Sequence, residues 1–369
     1  MADRVRLAIL GPGDVAQRDY LPEFHRIADR AEIVAVCGRT EARARAVAEQ
    51  HGAAWFTDEA RMLEESDVDA VVNLTPIPAH FETTLTALRA GAHVYSEKPF
   101  AGSVAEGRRL EQEAAERGLV IVAAPSVMLF PQVRLVQRML AEGRIGAVHA
   151  ARGVAMGAVP PWPGFGSDPT PYFSPGGGPL VDLGVYPLHA ITGLLGPVRR
   201  VAAMSARIGD AFTVPDGPAE GTRVEIQVDD TWTALLDLGD ERVATLEANY
   251  TSHGTRSAEV ELMGSEGTIA FSWLDVSAPV EMLGRDGRWE TIEVPRTGRS
   301  EGPDHLLGVE HLIECVRSGA VPVLSTAHAI HVLETFEQAG RSSREGVTAP
   351  LETTFARAED EHDRREAGA

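Results

Sequence analysis

Through its first ~125 residues the chain alternates short apolar runs with longer amphipathic ones, a rhythm that predicts strands and helices in turn. Residues 5–10, 33–37, 70–74, 93–96 and 119–123 read as strands. Residues 41–50, 79–90 and 103–117, rich in Ala, Leu, Glu and Arg, read as the helices between them. Gly91 and Gly118 each follow one of these helices, where glycine takes the left-handed backbone that ends a helix. Such alternation predicts a doubly wound α/β sheet over residues 1–125. Beyond Pro125 the pattern changes to a helix over 131–141, a long loop through Pro160-Pro161-Trp162-Pro163, and one further helix beginning at Pro179. Closely spaced alternating runs near 223–228, 231–238 and 243–250 then predict an antiparallel sheet with one wet face. Helices over 305–317 and 326–343 complete a second domain spanning 126–355, and a charged tail follows over 356–369.

A chain of 369 residues that is 44% hydrophobic has material for two cores. Its formal net charge of -20 repels phosphate backbones and anionic lipid, which excludes nucleic acid and membrane surfaces as partners. Two cysteines, Cys37 in a strand and Cys315 in a helix, suggest neither a disulfide framework nor a thiolate metal site. The chain enters its first strand with no signal-peptide region, and no run approaches the ~20 apolar residues of a membrane span. A soluble protein of the reducing cytoplasm is expected.

The candidate chemistry begins at Gly11-Pro12-Gly13-Asp14-Val15-Ala16, between a strand and a helix. Glycines at 11 and 13 permit a tight turn and close approach of a pyrophosphate, with Asp14 and Val15 at the start of the helix that would face it. At the end of the second strand, where an acid would bind the ribose hydroxyls of NAD, stand Arg39 and Thr40. A guanidinium suits a 2′-phosphate, so NADP is favoured over NAD. Thr75 and His80, in the proline-stiffened loop after the third apolar run, are candidate cofactor contacts, as are Glu97 and Lys98 at the end of the next run. Glu97-Lys98-Pro99 ends the next run. It places an amine at the carboxyl end of a strand, facing the same crevice, where Lys98 could exchange a proton with an alcohol while hydride moves to or from nicotinamide. If one helix runs on from Pro179, then Asp182, Tyr186 and His189 share a face, offering a carboxylate, a phenol and an imidazole to a substrate. Trp162, Phe165, Tyr172 and Phe173 could form a wall on which a sugar ring stacks. His305, His311, His328 and His331 are scattered over the late helices on a solvated or interface face, and no metal site is expected.

Taken together, Ile9-Leu-Gly-Pro-Gly, Thr75-Pro with His80, Ala90-Gly-Ala-His-Val-Tyr-Ser-Glu-Lys-Pro99, Gly143-Arg-Ile-Gly, the Gly177-Gly-Pro to Tyr186 segment and Gly264-Ser-Glu-Gly-Thr resemble the glucose-fructose oxidoreductase / inositol dehydrogenase / MocA family. The resemblance spans nearly the whole chain. It implies a Rossmann domain followed by an α/β domain on an open, mainly antiparallel sheet that serves for homodimer or homotetramer contacts. It also implies an NAD(P)-dependent enzyme acting on a secondary hydroxyl, or the matching ketone, of a sugar, glycoside or cyclitol. Glu97 and Lys98 match the family's Glu-Lys-Pro motif, whose lysine helps move the hydroxyl proton, and Asp182 matches its substrate-binding aspartate. Many members carry a histidine four residues beyond that aspartate. Here Tyr186 occupies the place, as in another branch, and the proton donor stays open between Lys98 and Tyr186. The family's Asn-x-Arg-Phe stretch is replaced by Val127-Met-Leu-Phe-Pro. Two alternatives remain: a sugar–sugar oxidoreductase that never releases its cofactor, and a non-catalytic NAD(P)-binding sensor.

Overall fold

The computed structural model describes residues 4–357 apart from 157–158, 161–165, 167, 297 and 300. Trp162, Phe165 and the chain beyond 357 therefore lie outside the described residues. Contacts divide the chain into two compact units: residues up to Ser126 with Asp304–Ile330, and Val127–Pro303 with the chain from His331.

The first unit is built on a parallel sheet of β1 (Val5–Leu10), β2 (Ala31–Cys37), β3 (Ala54–Phe56), β4 (Ala70–Asn73), β5 (His93–Ser96) and β6 (Ile121–Ala123), in the order β3-β2-β1-β4-β5-β6. Successive residues Leu7, Ala8 and Ile9 are all buried, which explains a continuous apolar run in place of alternation: helices cover both faces of such a sheet. These are α1 (Glu41–His51), α2 (Glu59–Glu65), α3 (His80–Arg89) and α4 (Val104–Arg117). Strand order reverses between β1 and β4, so the crevice beyond their carboxyl ends is the place where an open α/β sheet binds ligand. The segment after the glycine loop is not the regular helix expected. It is a π-helical turn, Ala16–Tyr20, running into a 3-10 helix, Leu21–Ile27. Pro22 has no N–H to continue an α-helical ladder, and the Leu21 N–H reaches back to the Ala16 carbonyl.

The second unit contains α5 (Pro131–Ala141), β7 (Val148–Met156), α6 (Pro179–Asp182) and α7 (Val185–Leu195). Nine more strands follow: β8 (Arg200–Ala206), β9 (Ala211–Thr213), β10 (Arg223–Glu225), β11 (Thr231–Gly239), β12 (Arg242–Asn249), β13 (Val260–Gly264), β14 (Thr268–Phe271), β15 (Val280–Leu283) and β16 (Trp289–Ile292). After α8 (Leu306–Ser318) and α9 (Thr326–Glu345), the short β17 (Ala349–Pro350) returns to the edge. The sheet order is β16-β15-β14-β13-β7-β12-β11-β8-β17, antiparallel except for the β7–β12 pair, and β9 with β10 forms a separate ribbon. All of α7 is buried, and it packs on β7 and β13. The opposite sheet face is not simply wet: Met204 (82% exposed), Leu235 and Val243 stand out from it. α8 packs on β5 and β6 of the first unit, although the sequence reading groups it with the second domain.

Candidate active site

In the first unit the glycine loop has two glycines present for different reasons. Gly11 has φ +83, and a Cβ there would lie 2.6 Å from the Leu74 carbonyl oxygen at the end of β4, so neighbouring backbone demands glycine. A Cβ on Gly13 would meet nothing within 4 Å. The fold leaves that side open, which fits a backbone surface kept bare for a pyrophosphate. Asp14 and Val15 lie half-buried where the π-helical turn begins.

Arg39 and Thr40 are exposed past the end of β2; the Thr40 carbonyl opens α1 while its hydroxyl does not cap it. Burial pushes the Glu59 carboxyl, at the start of α2, up to about 8, aided by Asp58. The nearby Cys37 thiol is likewise pushed up, to about 11, chiefly by its own burial.

The Thr75 loop is fixed from within. Asn73 accepts from the Thr75 hydroxyl (2.7 Å) and donates to Thr83 and Thr84. His80 is 1% exposed, with Nε2 against the Thr75 carbonyl (2.7 Å) and Nδ1 against the Pro99 carbonyl (2.8 Å). Burial lowers its pKa. The sequence reading makes His80 a cofactor contact; buried with its ring set between the Thr75 and Pro99 carbonyls, it is instead a strut between two loops at the crevice. Glu97 needs the same correction. Its carboxylate turns inward, Oε1 accepting from the Tyr20 phenol and Oε2 from the Lys98 amide at 2.8 Å.

Lys98 follows β5, half-buried, with a cis peptide to Pro99. The count of 34 Lys plus Arg is made of 33 arginines and this one lysine. At every other basic position the chain uses a guanidinium, which stays protonated; here it keeps the amine that can release a proton.

In the second unit the expected continuous helix is broken. α6 ends at Asp182 and α7 begins at Val185, and the join is tight: a Cβ on Gly184 would fall 2.5 Å from the Leu180 carbonyl oxygen, so glycine is required there. The break puts Pro187 in the first turn of α7, where its missing N–H costs nothing. Asp182 is 6% exposed and accepts from the Tyr250 phenol at 3.0 Å. The Tyr186 ring lies flat on Trp273, centroids 4.7 Å apart and planes 8° apart, while the Trp273 indole N–H donates to the Val154 carbonyl. Tyr250 and Trp273, each just past a strand end, escape a sequence reading because nothing in their local spacing ties them to residues far upstream.

His189, read as a substrate contact, is 4% exposed and set against the Val185 carbonyl (2.9 Å), and burial lowers its pKa to about 4. Phe173 is buried between Phe212 and Tyr250, so it is packing and not a pocket wall; Tyr172 is partly buried against the same cluster. The late histidines are not on a wet face. His331 is fully buried, its Nε2 accepting from Val198 N–H, and His311 accepts from Val323 N–H. Among the described residues no group of three or more His, Cys, Asp or Glu could hold a metal, and no helix is long and apolar enough to cross a membrane.

Residues 5–124 match the model for an oxidoreductase family with an NAD-binding Rossmann fold, and residues 133–270 match the GFO/IDH/MocA C-terminal domain. The chain is 32% identical, over 72% of its length and 79% of the relative's, to dTDP-3,4-didehydro-2,6-dideoxy-alpha-D-glucose 3-reductase of Streptomyces violaceoruber. It is 28% identical, over 96% and 92%, to D-apiose dehydrogenase of Paraburkholderia graminis. Among solved structures, KijD10, a 3-ketoreductase from Actinomadura kijaniata in complex with TDP-benzene and NADP, aligns over 92% of this chain and 98% of that one, with TM-score 0.74 and 25% identity. The chain therefore belongs to the GFO/IDH/MocA oxidoreductases, an NAD-binding Rossmann unit joined to that family's C-terminal domain.

Proposed function

We propose that this protein transfers hydride between nicotinamide and a carbon of a sugar, glycoside or cyclitol bearing a secondary hydroxyl or the corresponding ketone. The observation that carries the reading is the one lysine among 34 basic residues, standing at the ligand-binding edge of the parallel sheet. When bound, the cofactor supplies a hydride acceptor or donor. Gly11, Gly13, Asp14 and Val15 would hold its pyrophosphate, Arg39 and Thr40 its adenosine end, and the Thr75 loop its nicotinamide end.

Lys98 takes the hydroxyl proton in oxidation and returns it in reduction. Asp182, oriented by Tyr250, binds a substrate hydroxyl, and Tyr186, held flat by Trp273, is the second proton-bearing group at the reacting oxygen. NADP is preferred because Arg39 offers a guanidinium where an acid would select NAD. The relatives that reduce a keto sugar and oxidise D-apiose both support a sugar-like substrate. Two buried free thiols suit the reducing cytoplasm. Self-association is assigned to the open sheet face bearing Met204, Leu235 and Val243, an apolar patch of the kind that marks an interface.

The test is a screen of sugars, glycosides, nucleotide sugars and inositols with NAD and NADP. Turnover with at least one polyol and its loss in Lys98→Ala, with cofactor binding retained, is expected. Binding without turnover across the panel would favour a sensor, and nicotinamide carried through purification would favour a sugar–sugar oxidoreductase.

A further inference from the structure

The π-helical turn that leaves the nucleotide loop ends in Tyr20, and this residue is 2% exposed. Its phenol donates to Glu97 Oε1 and lies 2.9 Å from the Tyr95 hydroxyl. Its ring stacks on His305 (5.8 Å, 29°) and meets Tyr95 edge-on (5.9 Å, 62°). Behind Tyr95, Ser126 donates to the His305 carbonyl at 3.1 Å. Every one of these groups is buried, and the hydroxyl protons can run in one direction, Tyr95 to Tyr20 to Glu97. The remaining Glu97 oxygen holds the Lys98 N–H at 2.8 Å. A carboxylate 6% exposed is thus fully committed: one oxygen to a phenol from the nucleotide loop, the other to the backbone that presents the amine.

We propose that Tyr20 is a positioning residue for Lys98, holding the Glu97 carboxylate on the Lys98 backbone amide so that its negative charge stays off the side-chain amine. Glu97 is the arm through which Tyr20 acts. Without the phenol the carboxylate is free to rotate about its own side chain and seek the ammonium one residue along. This deepens the assignment of Lys98 as the proton-handling group, since a mobile acid there would hold the amine in its charged form.

A single interior lysine makes the idea directly measurable. Reductive methylation with carbon-13 formaldehyde labels Lys98 and the terminal amine alone, and the Lys98 signal is titrated by NMR in the intact protein without substrate. The groups of this unit that face Glu97 and Lys98 are Tyr20, Tyr95 on β5, His80 on α3 and His305 before α8, and all but the replaced one are common to each variant. In Tyr20→Phe the midpoint rises by about half a pH unit or more. In Glu97→Gln it falls, and Tyr20→Phe/Glu97→Gln coincides with Glu97→Gln. Tyr95→Phe, which keeps the phenol on Glu97, leaves the midpoint in place. An unmoved midpoint in folded Tyr20→Phe, or a rise that survives in the double variant, overturns the proposal. Should Tyr20→Phe not fold, Glu97→Gln decides: a lowered midpoint supports the arrangement and an unmoved one overturns it. Because no substrate is present, failure here is distinct from failure of the proposed reaction, which the polyol screen reads.

Discussion

Arginine and lysine carry the same charge but differ in whether they can give it up, and this chain separates the two uses. Lys98→Arg keeps the cation and removes the exchangeable proton, so kcat should fall by roughly 100-fold or more with the NADP dissociation constant within a few-fold of wild type. Fluorescence titration and steady-state rates check both halves. Arg39→Ala should weaken NADP binding by roughly 10-fold and leave NAD binding nearly unchanged, since a charge-assisted bond to phosphate is lost.

The buried histidines make a stability prediction. His189 and His331 are held neutral with pKa values of about 4, below the ordinary 6.5. Their folded values are depressed, so the unfolded chain binds protons first as pH falls, and stability declines from near pH 6.5 down to about 4. At pH 5 each costs about 2 kcal/mol by linkage, and His331→Gln should flatten part of that slope in denaturant titrations followed against pH. Residue types at the site were legible where a motif is contiguous: Gly11 to Val15, and Lys98 after its strand. The supporting partners were not. Tyr20, Tyr250 and Trp273 act through tertiary contacts, and the inward turn of Glu97 and His80 depends on burial that no local pattern encodes.

At the level of elements, apolar periodicity located most of the first sheet and its helices within a residue or two, and the run 93–96 coincides with β5. It missed β3 and α2, which are too short to display a period. It also joined α6 to α7, since Pro179 to Leu195 is largely apolar with Asp182, Tyr186 and His189 at helical spacing, and a period cannot show a join as crowded as that at Gly184. That crowding is testable. Gly184→Ala should drive a methyl into the Leu180 carbonyl and cost about 1–3 kcal/mol, read as a lowered midpoint in urea, because neither helix end can shift without moving Asp182 or Tyr186.

For the molecule as a whole, the two cores were foreseeable from length and composition, but the return of α8 to the first was not. Gly308 makes it possible: a side chain there would strike the Tyr95 ring and Ser126, and one glycine in an amphipathic run does not announce which sheet it approaches. The exposed face of the long sheet has its own consequence. Leu235→Glu places a charge between Arg200–Asp237 and Thr245 on that face, and sedimentation should show wild type as a dimer or larger and the variant as a smaller species.

The half-buried amine at the end of β5 also governs how the protein can be handled at the bench. Coupling to an ester-activated resin, fixation with an aldehyde, or tagging with a succinimidyl dye can reach the interior of the sequence at one position, and that position is the one assigned to turnover. Lysyl endoproteases find no ready cut either, since the bond after Lys98 leads into proline. Attachment for assays therefore belongs on the terminal amine or an added tag, and loss of activity on acylation, prevented by bound nucleotide, would itself report on the crevice.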